Sequence, residues 1–114
     1  MRAARLLPLV LLMGCSSLGP ISAPPIPIGP NPVTVTVHRV DSIVGAPLPM
    51  VFVIDGAEIY GLGNGDSYTF NIDPGEYVFG WRVGMNSCDQ AVWLHPGRKI
   101  NLSLSNECDI PPVP

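Results

Sequence analysis

Charged side chains are scarce in this sequence, as are the residue types that usually build metal and catalytic sites. Lysine, arginine, aspartate and glutamate make up 13% of the 114 residues, about half of their usual share in globular domains. The two histidines, His38 and His95, have no second histidine or cysteine at metal-ligand spacing, which argues against zinc. We therefore expect no metal, no cofactor and no enzymatic activity.

Long apolar runs and helix-forming stretches are also missing. The apolar run 6–13 is interrupted by Pro8 and falls far short of the roughly 20 residues that a membrane-spanning helix needs. No stretch has the composition of a long amphipathic helix. Glycine and proline number 12 and 14, which is typical of short strands joined by many turns. A chain of this length holds one domain.

The N-terminus has the pattern of an export signal. Arg2 and Arg5 precede the apolar run 6–13, and Gly14 stands directly before Cys15. Such a short run is a cleavable signal or a short anchor rather than a transmembrane helix.

The tetrapeptide Leu12-Met13-Gly14-Cys15 resembles the lipobox of bacterial lipoproteins. Leucine stands three positions before the cysteine and glycine immediately before it, whereas Met13 departs from the small or β-branched residue usual at its position. The resemblance implies a signal peptide over 1–14, diacylation of Cys15 and stable anchoring by two acyl chains. The alternative is an ordinary signal peptide that is cut after Cys15 or Ser16.

Ser16 bears on the location of the anchored chain. In lipoproteins an aspartate after the lipidated cysteine commonly retains the protein at the inner membrane, so the resemblance implies an outer-membrane lipoprotein that faces the periplasm. Loss of 1–14 leaves four basic against nine acidic residues, a net charge of −5. That acidity argues against nucleic acid as a partner. The expected partners are the membrane, through the lipid, and other envelope proteins; the oligomeric state stays open.

The cysteine count fits this interpretation. Of three cysteines, a lipidated Cys15 leaves Cys88 and Cys108, which are free to pair in an oxidising periplasm. A hairpin centred on Pro96-Gly97 brings Cys88 opposite about Ser105, close to Cys108. We therefore predict a Cys88–Cys108 disulfide.

Proline divides the mature chain into regions. Residues 15–32 hold the lipidated cysteine and a proline-rich linker, which we expect to be an extended spacer with a reach of up to about 50 Å. Residues 33–109 form the folded domain, and 110–114 form a second proline-rich tail that ends it.

Strand patterns and turn signals alternate through 33–109. Val33 to His38 alternates apolar and polar residues, which predicts a strand with its valines inward. The apolar Met50 to Ile54 predicts a central strand covered on both faces. Asp55-Gly56 after it is a strong hairpin signal, which places Ile54 opposite Ala57 and Phe52 opposite Ile59.

Counted in this way, the domain has about seven short strands with turn signals at intervals of roughly 8 to 12 residues. The expected fold is all-β, a small antiparallel β-sandwich. Tyr77, Phe79 and Trp81 lie at strand spacing and should fill its core.

Two turns and the strands beside them resemble a known family. The segments are Phe52-Val53-Ile54-Asp55-Gly56, then Gly61 or Gly63, then Phe70-Asn71-Ile72-Asp73-Pro74-Gly75-Glu76-Tyr77. They are similar to the core of PEGA-type domains and of related small envelope lipoproteins. The similarity covers less than a third of the chain. It implies a small β-sandwich module without catalytic residues or cofactors, and it carries over no functional residue.

Few side chains are candidates for a functional site. Asp55, Asp66 and Asp73 stand beside glycine or proline in turns, where they satisfy local backbone donors; calcium between loops is the alternative, although an EF-hand spacing is absent. Glu58 and Glu76 fit solvated surface positions better than a glycosidase pair.

Two aromatic residues, Tyr60 and Trp93, are the possible ligand-binding residues. The function expected from the sequence is a lipid-anchored envelope protein with a structural or protein-interaction role. The alternative is a glycan- or peptidoglycan-binding module that uses these two aromatics, which requires both rings to be exposed on one concave face.

Overall fold

The computed structural model describes residues 18–41, 47–108, 110 and 112–113. Within these ranges every regular element is a β-strand, and no helix is long and apolar enough to cross a membrane. In chain order the strands are β1 (Gly19–Pro20), β2 (Val33–Arg39), β3 (Met50–Ile54), β4 (Ala57–Leu62), β5 (Ser67–Ile72), β6 (Gly75–Val83), β7 (Asn86–Leu94), β8 (Lys99–Leu104) and β9 (Pro112–Val113).

The strands form two sheets that pack face to face. One sheet has five strands in the order β1-β4-β3-β6-β7, and the other has four in the order β5-β2-β8-β9. The buried side chains of both sheets form one hydrophobic cluster, in which Phe52 of β3 contacts Phe70 of β5 and Phe79 of β6 at centroid distances of 5.7 and 5.4 Å. The predicted all-β sandwich is confirmed.

Strand β2 occupies the middle of the smaller sheet. Val33, Val35 and Val37 are fully buried, as their alternation with polar residues predicts. The strand pairs antiparallel with β5 on one side and parallel with β8 on the other. The sandwich is therefore mostly rather than wholly antiparallel.

The β3–β4 hairpin is confirmed at its turn and differs in its register. Asp55 and Gly56 both have positive φ values, 48° and 85°, as a two-residue hairpin turn of type I′ requires, and Ile54 pairs with Ala57. Val53 still pairs with Glu58 in the same register, and the register shifts after that pair, so that Phe52 pairs with Tyr60 instead of Ile59. The cause is a β-bulge, which inserts an extra residue into β4 and leaves the ladder unbroken on either side.

The predicted hairpin at Pro96-Gly97 is wrong. β7 is an edge of the five-stranded sheet, whereas β8 lies in the four-stranded sheet, so the chain crosses between the two layers at this turn. Gly97 has a φ of 68° and donates its N–H to the carbonyl of Asn31 at 3.2 Å. By crossing, β8 covers the open side of β2, where its inward side chains join the core.

The described parts of both proline-rich ends lie against the sandwich. Pro20 pairs with Tyr60 in β1–β4, and the N–H groups of Ile28 and Gly29 donate to the carboxylate of Asp73 at 3.1 and 3.0 Å. The described part of the linker, from residue 18 onward, is thus bound along the domain and does not act as the extended spacer predicted.

The C-terminal tail is part of the fold as well. Ile110 is 2% exposed and belongs to the core, and β9 pairs with β8 at Asn101 and Leu102. The prediction that the domain ends at 109 is wrong, because Ile110 supplies a buried side chain to the sandwich.

Candidate functional site

The predicted disulfide between Cys88 and Cys108 is confirmed, with the two Cα atoms 5.2 Å apart. Cys88 points into the core from β7 and is 3% exposed, while Cys108 lies in the segment between β8 and β9. The bond therefore joins the edge of one sheet to a segment that leaves the other. Cys15, the predicted lipidation site, lies outside the described residues.

Tyr60 is not the exposed aromatic predicted. Its ring stacks on that of Tyr68, with centroids 4.2 Å apart and planes 18° from parallel, and it packs half-buried against the core. Burial, with a smaller contribution from Tyr60, raises the pKa of the Tyr68 hydroxyl. The pair joins β4 of one sheet to β5 of the other, which is a structural role.

Trp93 has the exposure that a binding residue needs. It is 60% exposed on β7, and the His95 ring approaches it edge-on at a centroid distance of 6.2 Å and an angle of 71°. Tyr60 and Trp93 are nevertheless three strand spacings apart across the sheet, roughly 14 Å before any offset along the strands. Because the Tyr60 ring packs against the core and the Trp93 ring faces solvent, the two rings do not share one surface.

The turn aspartates all accept hydrogen bonds from backbone amides. Asp66 accepts from the nearby Gly63 N–H at 2.9 Å, as predicted. Asp55 instead accepts from the N–H of Val78, 23 residues away, at 2.7 Å, and Asp73 holds the linker. Two of the three carboxylates thus connect distant segments of the chain rather than satisfy local donors.

The other polar candidates are also spread over the surface. His38 Nδ1 lies 2.8 Å from the hydroxyl of Ser67 on the neighbouring strand. Glu58 and Glu76 lie on strands separated by β3, and the register puts them roughly 16 Å apart, beyond the separation of a glycosidase carboxylate pair. In the described ranges no three histidine, cysteine, aspartate or glutamate side chains are grouped so that they could hold a metal ion.

A buried arginine, which no sequence pattern predicts, fastens one end of the sandwich. Arg39 is 2% exposed, and its Nη1 donates to the carbonyls of Leu48 and Leu62 at 2.7 and 2.9 Å. Burial lowers the pKa of Arg39, and Asp66 offsets part of that effect. These contacts tie the end of β2 to the end of β4 and to the segment that precedes β3 in the opposite sheet.

Two concave surfaces accompany these residues. One, of about 400 Å³, lies beside Arg39 and is lined by charged residues of both signs, Asp41 and Glu107 among them. The other, of about 380 Å³, lies between β7 and β8 at the edge of the sandwich, with Trp93 in its wall. The second cavity joins residues from both sheets, which a linear pattern does not bring together.

Comparison with models of known protein families and with curated protein sequences finds no match for this chain.

Proposed function

We propose that this protein is a lipid-anchored β-sandwich module of the bacterial cell envelope, attached through Cys15, with a structural or protein-interaction role. The observation that carries the proposal is the Cys88–Cys108 disulfide. The chain has three cysteines, so this pairing leaves Cys15 as the thiol available for acylation. A structural disulfide also fits the oxidising periplasm better than the cytosol.

The hydrogen bonds of the polar side chains support a structural role. Asp55 and Asp73 hold distant backbone segments, and Arg39 ties strand ends together. The linker lies along the sandwich in its described part, so the module would sit close to the membrane. In this arrangement the anchored domain presents its sheet faces and edges to neighbouring envelope components.

Metabolic labelling with palmitate tests the anchor. We expect the wild-type chain to carry label and to sediment with membranes, and the Cys15→Ala variant to lose both properties. Ser17→Ala is the matched control, because it changes a neighbouring small residue and keeps Ser16. Equal labelling of Cys15→Ala and wild type would overturn the proposal.

The choice of membrane has its own test. Separation of inner and outer membranes on a density gradient should place the wild-type chain in the outer membrane. A Ser16→Asp variant should move to the inner membrane. Wild-type protein recovered only in the inner membrane contradicts the outer-membrane assignment and leaves the anchor itself intact.

A second candidate function is glycan binding, and the exposure of Trp93 favours it. An exposed indole beside a cavity provides a flat apolar face for a sugar ring. Co-sedimentation with purified peptidoglycan sacculi tests it: Trp93→Ala should lower the bound fraction. Met85→Ala is the control, since Met85 is a fully exposed apolar residue at the β6–β7 turn. Equal binding by Trp93→Ala and wild type contradicts this candidate.

A further inference from the structure

The cavity between β7 and β8 combines an apolar floor with a polar rim. Its aliphatic lining comes from Val92 of β7, Ile100 and Leu102 of β8, and Ile110 of the tail. Its volume of about 380 Å³ falls within the range of small-molecule sites in proteins. An opening at the edge of the two layers gives a ligand access from solvent.

The rim consists of hydrogen-bond donors and an aromatic face. Trp93 stands at the edge with 60% of its surface exposed, and His95 and Arg98 line the cavity beside it. Gln90 accepts the Ile110 N–H on its Oε1 at 3.0 Å, so its amide group offers N–H donors to a ligand.

The charge of the rim is opposite to that of the whole chain. The chain has a net charge of −3, yet no acidic side chain of the described residues lines this cavity. Of the described arginines, Arg82 pairs with Asp89 at 3.2 Å and Arg39 is bound to carbonyls. Arg98 has no ion-pair partner among the described residues. A cation beside a cavity that has no ion-pair partner in the described ranges favours an anionic ligand in an acidic protein.

We propose that this cavity binds a carboxylate-bearing sugar, a proposal that rests on the second candidate function and specifies its ligand. The guanidinium of Arg98 binds the carboxylate, a pairing for which its planar fork of donors is suited. The C–H face of the sugar ring stacks on Trp93. His95 and Gln90 bind ring hydroxyls, and the aliphatic floor receives an apolar substituent of the sugar.

The polar rim distinguishes a sugar acid from a fatty acid. A fatty acid satisfies one cation and the apolar floor, but it leaves His95 and the Gln90 amide without ligand partners. A sugar acid uses all three polar groups together with the aromatic face.

Indole resonances in ¹H–¹⁵N NMR spectra provide the test. The full chain is studied in phosphatidylcholine nanodiscs, and the Trp93→Phe variant identifies which indole signal belongs to Trp93 and which to Trp81. We expect glucuronate to move the Trp93 signal saturably and to leave that of Trp81, which is 2% exposed, in place. Glucose should bind at least about tenfold more weakly, because it lacks the charged group that pairs with Arg98.

Two variants with the same change in charge make the test specific. Arg98→Gln should weaken glucuronate binding by about tenfold or more. Lys99→Gln is the matched control, since Lys99 is the next residue and does not line the cavity. It should change the affinity by less than about twofold.

Each remaining outcome overturns the proposal. These outcomes are no shift of the Trp93 signal at roughly 10 mM glucuronate, an equal effect of the two variants, and tighter binding of octanoate than of glucuronate. Glucose binding as tight as glucuronate binding also overturns the assignment of an acid, although glycan binding then stands. Failure of Trp93→Ala to reduce sacculus binding would instead remove the second candidate function itself.

Discussion

Replacement of both Cys88 and Cys108 by alanine removes the covalent link between β7 and the segment before β9. The two cysteines are 20 positions apart in sequence, and loop-closure entropy gives a bond of that span a stabilisation of about 3 kcal/mol at 25 °C. Domains of this size have a total stability of roughly 5 to 14 kcal/mol. The double variant should therefore lose a large fraction of its free energy of unfolding.

Urea unfolding of the full chain, followed by the fluorescence of the buried Trp81, measures this loss. The urea concentration at the midpoint of unfolding should fall. The free energy of unfolding should also depend more steeply on urea concentration, because the unfolded chain expands without the cross-link. In a thermal scan the same loss should lower the Tm by about 15 °C.

Reduced wild-type protein is the matched control, because it lacks the bond and keeps both sulfur atoms. Its stability should resemble that of the double variant to within about 1 kcal/mol, the effect expected from the change in side-chain size. A loss below about 1 kcal/mol in both proteins would refute the reasoning that the disulfide acts on the unfolded chain.

The other predictions concern a close approach of strands, the linker and a tyrosine. Gly80→Ala should lower the free energy of unfolding by about 1 to 3 kcal/mol, because the added methyl group meets the carbonyl oxygen of Cys88 and the carboxylate of Asp89. Urea unfolding measures this loss, and an unchanged stability would contradict the prediction. The Asp73 carboxylate accepts hydrogen bonds from the Ile28 and Gly29 amides, so Asp73→Ala should speed hydrogen exchange at these two amides by about tenfold. NMR measures the exchange, and unchanged rates would contradict the role of Asp73 in holding the linker. Burial raises the pKa of Tyr68, so its contribution to stability is complete below the unfolded pKa near 10 and is lost as the pH rises through the folded value. Tyr68→Phe should therefore flatten the decline of unfolding free energy above pH 10, measured by urea titration at several pH values, and an equally steep decline would contradict this.

The period-two pattern and the turn chemistry predict the fold class well. The burial of Val33, Val35 and Val37 follows directly from their alternation with polar residues, and the Asp55-Gly56 turn fixes the start of its hairpin. Both features are local, so a few neighbouring residues suffice to specify them.

Features that depend on distant pairing are not predictable in this way. The bulge in β4 arises where Phe52 pairs with Tyr60, and no turn signal marks it. Pro96-Gly97 has the sequence of a hairpin turn, yet β8 does not pair with β7. It pairs with β2 instead, where its inward side chains join the hydrophobic core. The disulfide prediction is right even though the hairpin that supported it is wrong, since the count of cysteines also pointed to that pair.

Most residues that line the cavity at the edge of the sandwich are likewise not predictable from the sequence alone. Trp93 is predicted from the sequence as a possible ligand-binding residue, whereas Gln90, Arg98 and Ile110 enter the site only because β7, β8 and the tail converge. The sequence marks Tyr60 and Trp93 equally as candidate ligand-binding aromatics, but the bulge and the stacking on Tyr68 bury much of the Tyr60 ring.

Mass spectrometry of the N-terminal peptide tests the proposed function most directly. The chain is purified from membranes of the producing cells and digested, and the peptide that contains Cys15 is measured with and without removal of ester-linked acyl chains. We predict a peptide that begins at Cys15 and carries a diacylglycerol group on its sulfur. A mature chain that begins at Ser16 or Ser17, or a Cys15 with a free thiol, would contradict it.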